Sequence, residues 1–473
     1  MRASTDSRHW LKVIAGPVAA LLVYALTADW LDEPARRTAA VATLMAAWWM
    51  SEALPLAATA LLPLALFPLL GVMDIKATAT PYASHIIFLF LGGFLLGLAM
   101  QKSGLHRRVA LAIVHWAGTG PRRMIGGFML ASALLSMWIS NTATVVMLMP
   151  VALSTLAMLE EGEGHSDPAL ANALLLGTGY AASIGGLGTL LGSPPNLVLA
   201  SFAERELGMP VTMLDWIQFG LPAVAILLPL TWWLLTHTLF HLPKDLPGDP
   251  GPVIRRALTE MGRMSPAEKR VAMVFTSAAT LWICRGWLGS LPGLSGLSDA
   301  GIAIAAAIAL FLLPDGKGEP LLDWETAEKT PWGILLLFGG GLSLAAAIGA
   351  SGLDAAIAGS LGGLAGLPLW VSVTAVVFMV VFVTELSSNT ATANAFIPIL
   401  AAVAVGLSLP PLPMLVAVAM AASCAFMLPV ATPPNAIVFG SGRVPLQQMI
   451  RAGLVLNLLL APIIALLIVL MVA

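Results

Sequence analysis

Apolar runs near 20 residues long follow one another from Leu11 to the C-terminus, and two apolar segments are interrupted at their centres by the same polar pentapeptide. Ser140-Asn141-Thr142-Ala143-Thr144 lies within "SMWISNTATVVMLMP" (136–150). The second copy begins at Ser388, 248 residues later, within "TELSSNTATANAFIP" (384–398). A helix of about 20 apolar residues spans the ~30 Å hydrocarbon layer. Inside that layer every backbone N–H and C=O must be paired, so non-helical backbone is tolerated only where protein or a cavity surrounds it. The chain is therefore read as an all-α polytopic membrane protein, and each interruption as a place where something binds or packs. Composition agrees: 10% of residues are charged, against roughly 25% in soluble domains, and mean hydropathy is +0.90. No segment between the apolar runs is long enough to fold as a separate soluble domain. The net charge of −2 says little about partners, because charge in such chains matters by location. No nucleic-acid partner is expected.

The spans fall at 11–28, 36–50, 55–71, 84–101, 169–190, 213–241, 269–288, 299–314, 331–350, 413–430 and 447–472, eleven in all, with the interrupted segments at about 122–158 and 368–405. The N-terminal run has no clean Ala-x-Ala cleavage site and reads as an uncleaved first span. Lys and Arg concentrate on the cytoplasmic side. With the N-terminus in the cytoplasm and each interrupted segment treated as a re-entrant hairpin, 18 of the 23 Lys and Arg fall on that side. The exceptions are Arg36, Arg37, Lys76, Arg205 and Arg285. If both interrupted segments crossed fully, the cluster between Lys244 and Arg270 would move outside. The count selects the hairpins and an external, periplasmic C-terminus, in a chain surrounded by lipid in the cell (inner) membrane.

The segment from Leu242 to Arg270, rich in Pro, Gly and charge, divides the chain. Residues 1–245 form a first repeat, 246–268 a cytoplasmic linker and 269–473 a second repeat. "FLFLGGFLLGLAMQKSGL" (88–105) answers to "LLLFGGGLSLAAAIGASGL" (335–353), and "LLGSPPNLVLA" (190–200) to "PVATPPNAIVF" (429–439). The first hairpin opens inward and the second outward, so the repeat is inverted. Pro194-Pro195 and Pro433-Pro434 break a second helix in each half by removing donors and clashing with the preceding turn.

Freed carbonyls beside Ser, Thr and Asn oxygens suit a hard, weakly charged cation such as Na⁺, and half-helix N-termini with hydroxyl and amide donors suit a carboxylate. One tip and one broken helix per half imply at least two cation sites with an anion between them. No Lys or Arg is near either tip in the sequence, so bound cations must offset the desolvation cost of the anion. Glu385, the nearest ionisable residue, is either functional or a brace bonded to backbone. The Gly92-Gly93 and Gly339-Gly340-Gly341 clusters read as close helix packing. The stretch holding His115 and Trp116 reads as a cytoplasmic interfacial helix, with its counterpart near 352–366. Cys284 and Cys424 read as packing residues. Two other classes compete. A hydrolase with Ser441 of "GSG" as nucleophile lacks a well-placed histidine, and a channel would need a continuous polar pore.

At these residues the chain resembles the divalent anion/sodium symporters, close to their bacterial dicarboxylate members. The resemblance rests on the two Ser-Asn-Thr motifs, "GSPPN" (192–196), "ATPPN" (431–435), "IIFLFLGGF" (86–94) and "AASCAFMLPVATPPNAIVF" (421–439), and covers nearly the whole chain. It implies a homodimer of protomers with a scaffold domain and a transport domain that moves as an elevator. It implies one Na⁺ site at Ser136, Ser140, Asn141 and Gly192, and a second at Thr384, Ser387 (through its carbonyl), Asn389 and Ala431. Substrate carboxylates would be held by Asn141, Thr142, Ser388, Asn389 and Thr390, with Ser193 and Thr432 lining the pocket. The activity implied is Na⁺-coupled import of C4-dicarboxylates such as succinate, malate or fumarate. A sodium-independent exchanger and a citrate carrier are the alternatives within the family. Exchangers are expected to carry basic side chains at the cation positions, and none occurs here.

Overall fold

The computed structural model describes residues 3–118, 120–163, 167–243, 251–360 and 367–472. Among them eight helices are long and apolar enough to cross a membrane, with four shorter apolar helices beside them and no strand. Many large apolar side chains of these helices face outward, Leu11, Leu22, Ile283 and Leu466 among them, and more than half of each is exposed or nearly so. This is a multi-pass membrane protein.

The two halves repeat element by element. Helices His85–Ser103 and Trp332–Ala350 are each 19 residues long. Each leads into an amphipathic or short helix, Leu105–Ala117 or Leu353–Ser360. Of the expected second interfacial arm, residues 361–366 lie outside the described residues. Then comes a hairpin. Its first arm has 16 residues in both halves, Pro121–Ser136 and Leu369–Thr384. Its second arm is Asn141–Glu163 or Asn389–Gly406. A broken helix follows, with arms Pro168–Gly185 and Pro194–Leu207 in the first half, and Pro411–Ala422 and Pro433–Gly440 in the second. Met213–Trp233 and Leu446–Val472 close the halves. Both broken helices stop earlier than expected, at Gly185 and Ala422, because the non-helical stretch begins well before the paired prolines.

The glycine clusters do what their composition suggests. A Cβ on Gly92 would lie 2.6 Å from that of Ala303, and one on Gly340 would lie 2.3 Å from Ala60 O, so these helices meet backbone to backbone. Trp116 is 80% exposed on the amphipathic helix Leu105–Ala117, which packs along Pro121–Ser136.

Two further expectations change. Residues 55–71 were expected as a full span but form two short helices, Leu56–Thr59 and Leu62–Leu69. Pro55 precedes the first, Pro63 opens the second where its missing N–H costs nothing, and Pro68 removes a donor from its last turn. The linker is not all loop: Gly251–Glu260 is a helix, and residues 244–250 lie outside the described set. Arg108 of helix Leu105–Ala117 donates to Glu268 at 2.6 Å and to Gly262 O at 2.9 Å, tying the first half to the linker on the face rich in Lys and Arg.

Candidate functional site

Each hairpin tip touches the break of the helix in its own half, and the two breaks touch each other. In the first half Ser136, the last residue of its arm, is buried and donates to Ala182 O at 2.7 Å. Its oxygen also meets the carboxamide of Asn141, the first residue of the return arm. The same end of that carboxamide lies 3.2 Å from Gly192 O and 3.2 Å from Ala182 O. With nitrogen turned inward, Asn141 donates to both carbonyls. With oxygen inward, it completes a ring of Ser136 Oγ, Asn141 Oδ1, Ala182 O and Gly192 O, the neutral oxygen set that a small hard cation selects. Ser140 caps the return arm, accepting from Ala143 N at 3.2 Å.

The second half repeats the pattern. Thr384 ends its arm, is buried, and donates to Asn389 Oδ1 at 2.9 Å and Ala422 O at 3.0 Å. The Ser387 hydroxyl is bonded to that of Thr392 at 2.7 Å. Ser388 begins the return arm with no side-chain cap bond.

The breaks are held open by matching amides. Asn196 Nδ2 donates to Gly186 O at 2.9 Å and Thr189 O at 2.8 Å. Asn435 Nδ2 donates to Ala425 O at 3.0 Å and Leu428 O at 3.1 Å. Ser193 and Thr432 stand in extended conformation immediately before the paired prolines. Thr432 accepts from Asn435 N at 3.2 Å, whereas the Ser193 hydroxyl meets that of Ser423 at 2.8 Å. That contact joins the two breaks. Gly192 is required by closeness, since a Cβ there would lie 2.6 Å from Gly186 O. Ala431 is buried at the matching position.

Glu385 resolves as a brace. Its carboxyl accepts from Phe426 N at 2.6 Å, Met427 N at 2.9 Å, Leu428 N at 3.0 Å and Asn457 Nδ2 at 2.7 Å. All four partners are donors, and both carboxyl oxygens act as acceptors.

A cavity of about 270 Å³ lies against the first tip, with Ser140, Thr142, Trp138, Gln101 and the exposed Lys329 on its wall. Ser388, Asn389 and Thr390 do not line it; Thr390 is buried, with its carbonyl bonded to Asn394 Nδ2 at 2.9 Å. The tip residues of the two halves are therefore not gathered around one cavity here. Sequence reasoning missed Ala182 and Ala422, which act through carbonyls, and Thr189, Asn457 and Lys329. Only Asn196 and Asn435 carried a signal, as the last residue of each Pro-Pro-Asn. Among the described residues no group of His, Cys, Asp and Glu is arranged for a metal ion. Ser441 donates to Val438 O at 2.6 Å and has no histidine bonded to it among the described residues.

Comparison with known proteins fits this geometry. A family model described as the sodium:sulfate symporter transmembrane region matches residues 7–472. The chain is 41% identical over 458 residues to the sodium-dependent dicarboxylate transporter SdcS of Staphylococcus saprophyticus, covering 94% of this chain and 88% of that protein. It is 41% identical over 437 residues to SdcS of Staphylococcus aureus, covering 90% and 84%. In fold it is similar to the YdaH transporter of Alcanivorax borkumensis, with TM-score 0.60 at 17% identity over 92% of this chain and 98% of that one. It is also similar to MtrF of Neisseria gonorrhoeae, with TM-score 0.59 at 14% identity over 85% and 83%. Family and relatives are transporters, not enzymes. With its hairpins, broken helices and full-length match, the chain belongs to the sodium:sulfate symporter family, the divalent anion/sodium symporters.

Proposed function

We propose that the protein is a sodium-coupled symporter that imports C4-dicarboxylates such as succinate, malate or fumarate. The observation that carries this is the mirrored oxygen cluster, Ser136 with Asn141 and Ala182 O, and Thr384 with Asn389 and Ala422 O. Two such clusters support two Na⁺ sites, completed by Ser140 and Gly192 in one and by Ser387 and Ala431 in the other. The relatives named as sodium-dependent dicarboxylate transporters support the same reading. The substrate carboxylates would be held by Asn141, Thr142, Ser388, Asn389 and Thr390, with Ser193 and Thr432 alongside. The sites hold no Lys or Arg, so the two cations offset the dianion's charge. Loading of Na⁺ and substrate is then coupled by electrostatics.

The basic face is the cytoplasmic one in this reading, which puts both ends of the first hairpin and the cavity mouth inside the cell. Residues 1–245 and 269–473 act as the two repeats around the 246–268 linker. Their hairpins and broken helices form a transport domain that moves as an elevator against a scaffold, in a homodimer embedded in lipid.

The test is succinate uptake into proteoliposomes with an inward Na⁺ gradient, compared with K⁺ or choline. Uptake only with Na⁺, enhanced by an inside-negative potential, is the expected result. Equal entry without Na⁺ that requires internal dicarboxylate would make the protein an exchanger, and preference for citrate over succinate would make it a citrate carrier.

A further inference from the structure

The cavity that reaches the first hairpin tip carries one charged side chain on its wall, Lys329, among walls otherwise built from Phe90, Phe94, Leu98, Trp138 and other neutral residues. Lys329 lies in the segment before Trp332–Ala350, almost 190 residues from Ser140 in sequence. It is exposed and makes no ion pair among the described residues. The segment that carries it is held in place. Asp323 accepts from Thr326 N at 2.6 Å and from Lys102 Nζ at 2.5 Å, and Lys102 also donates to Pro320 O at 3.0 Å. Lys102 beside Asp323 holds that carboxyl well below the usual carboxylate range. Beyond Lys329 the chain is fixed again by buried Thr330 and by Trp332 Nε1, which donates to Glu328 O at 3.2 Å. One nearby lysine is thus consumed by an acid while the other stays free at the opening.

We infer that Lys329 and the cavity below it form an anion-binding vestibule on the cytoplasmic side of the transport path, which takes a dicarboxylate after it leaves the hairpin tips. The inference rests on the proposed function for the identity of the anion and for the sidedness. At the tips neutral donors and Na⁺ hold the substrate. At the mouth Na⁺ has left and water is present, so a fixed ammonium compensates for the lost counter-charge. A point charge on a flexible stem meets either carboxylate without fixing its geometry. Its effect is modest and falls with ionic strength, because the group is solvated.

The test uses inside-out membrane vesicles holding the full-length protein, with labelled succinate as the probe, Na⁺ kept constant and ionic strength varied with choline chloride. At low ionic strength K329Q is expected to raise the succinate KM at the cytoplasmic face roughly threefold to fivefold. Vmax should not fall, K329R should restore the KM, and the wild type and K329Q should converge at high salt. A KM equal to wild type in K329Q would overturn the inference. So would a rise that persists at high salt or in K329R, since that marks a structural role. A wild-type protein that carries no succinate with Na⁺ from either face would overturn the proposed function and this inference with it, a result distinct from an indifferent K329Q.

Discussion

The two helix breaks perform one task with different materials. The first, residues 186–193, contains Gly186, Gly188 and Gly192 and coils on itself: Leu187 N bonds Ile184 O at 3.1 Å and Gly188 N bonds Gly185 O at 2.9 Å. What remains exposed there is mostly carbonyl, and neutral donors cover it, Trp216 Nε1 on Leu187 O at 2.8 Å and Asn196 on two more. The second break, residues 423–432, has no glycine. Three consecutive N–H groups, at Phe426, Met427 and Leu428, turn away from the helix path and find one acceptor, Glu385. The first-half position matching Glu385 is Met137, whose backbone carbonyl accepts from Thr189. A glycine-rich break satisfies itself locally, and a glycine-free break needs a carboxylate brought in from elsewhere. Glu385 is thus explained by the backbone it serves, which is why it has no partner across the repeat.

The largest expected effect tests that explanation directly. Glu385→Ala leaves the N–H groups of Phe426, Met427 and Leu428 and the amide of Asn457 without their acceptor and should cost about 3–5 kcal/mol, the combined loss of several hydrogen bonds to one carboxyl. Thr189→Val removes only neutral bonds from the first break and should cost about 1 kcal/mol. Thermal unfolding in detergent compares the two. Equal losses would mean that the breaks are braced alike and that the contrast is mistaken.

Where the halves match, their variants should match. Asn141→Ala and Asn389→Ala each remove the side chain shared by a cation cluster and the substrate. Each should lower Na⁺-driven succinate uptake by about 100-fold, or close to 3 kcal/mol, with unfolding temperatures near wild type. Wild-type uptake in either variant would remove that residue from the site. Wild-type uptake in only one would show that the halves are equivalent in backbone and not in function.

Much of this was legible because it is written in local chemistry. The pentapeptide copies mark the tips, the paired prolines mark the starts of the half-helices, and Gly92 and Gly340 mark where helices touch. The short helices at 56–69 were legible too, through Pro55, Pro63 and Pro68, yet apolar length outweighed those signals. The rest has no sequence signature. Ala182 and Ala422 contribute carbonyls, which every residue owns, so only the fold selects them. Glu385 finds its donors about 40 and 72 residues onward, and Lys329 lines the cavity of the first tip from the other half of the chain. Such pairs are set by packing between distant helices, and a pattern of hydropathy carries no record of them.

A finer comparison concerns the hydroxyls that point at the cation clusters. Ser136→Ala and Thr384→Ala each delete one oxygen from four or so, and each should raise the Na⁺ concentration for half-maximal uptake roughly fivefold, about 1 kcal/mol. If the clusters are separate sites, the double variant shows the summed free energies of the singles. A double variant no worse than either single would mean that both hydroxyls serve one ion.

The smallest effect belongs to Ala431, which occupies the place of Gly192. At Gly192 no side chain is open to the chain, because a Cβ would lie 2.6 Å from Gly186 O. At Ala431 the methyl group is already present and buried. Any sodium contact made by this position therefore runs through its carbonyl, and the methyl group contributes only packing and a less free unfolded chain. Ala431→Gly should cost about 0.5–1 kcal/mol of stability and leave the Na⁺ concentration for half-maximal uptake within about twofold. A large loss of sodium affinity on removing that methyl group would show that the second cluster depends on wall packing to hold its carbonyl in place. The first cluster, built from glycine, achieves the same placement by direct backbone contact.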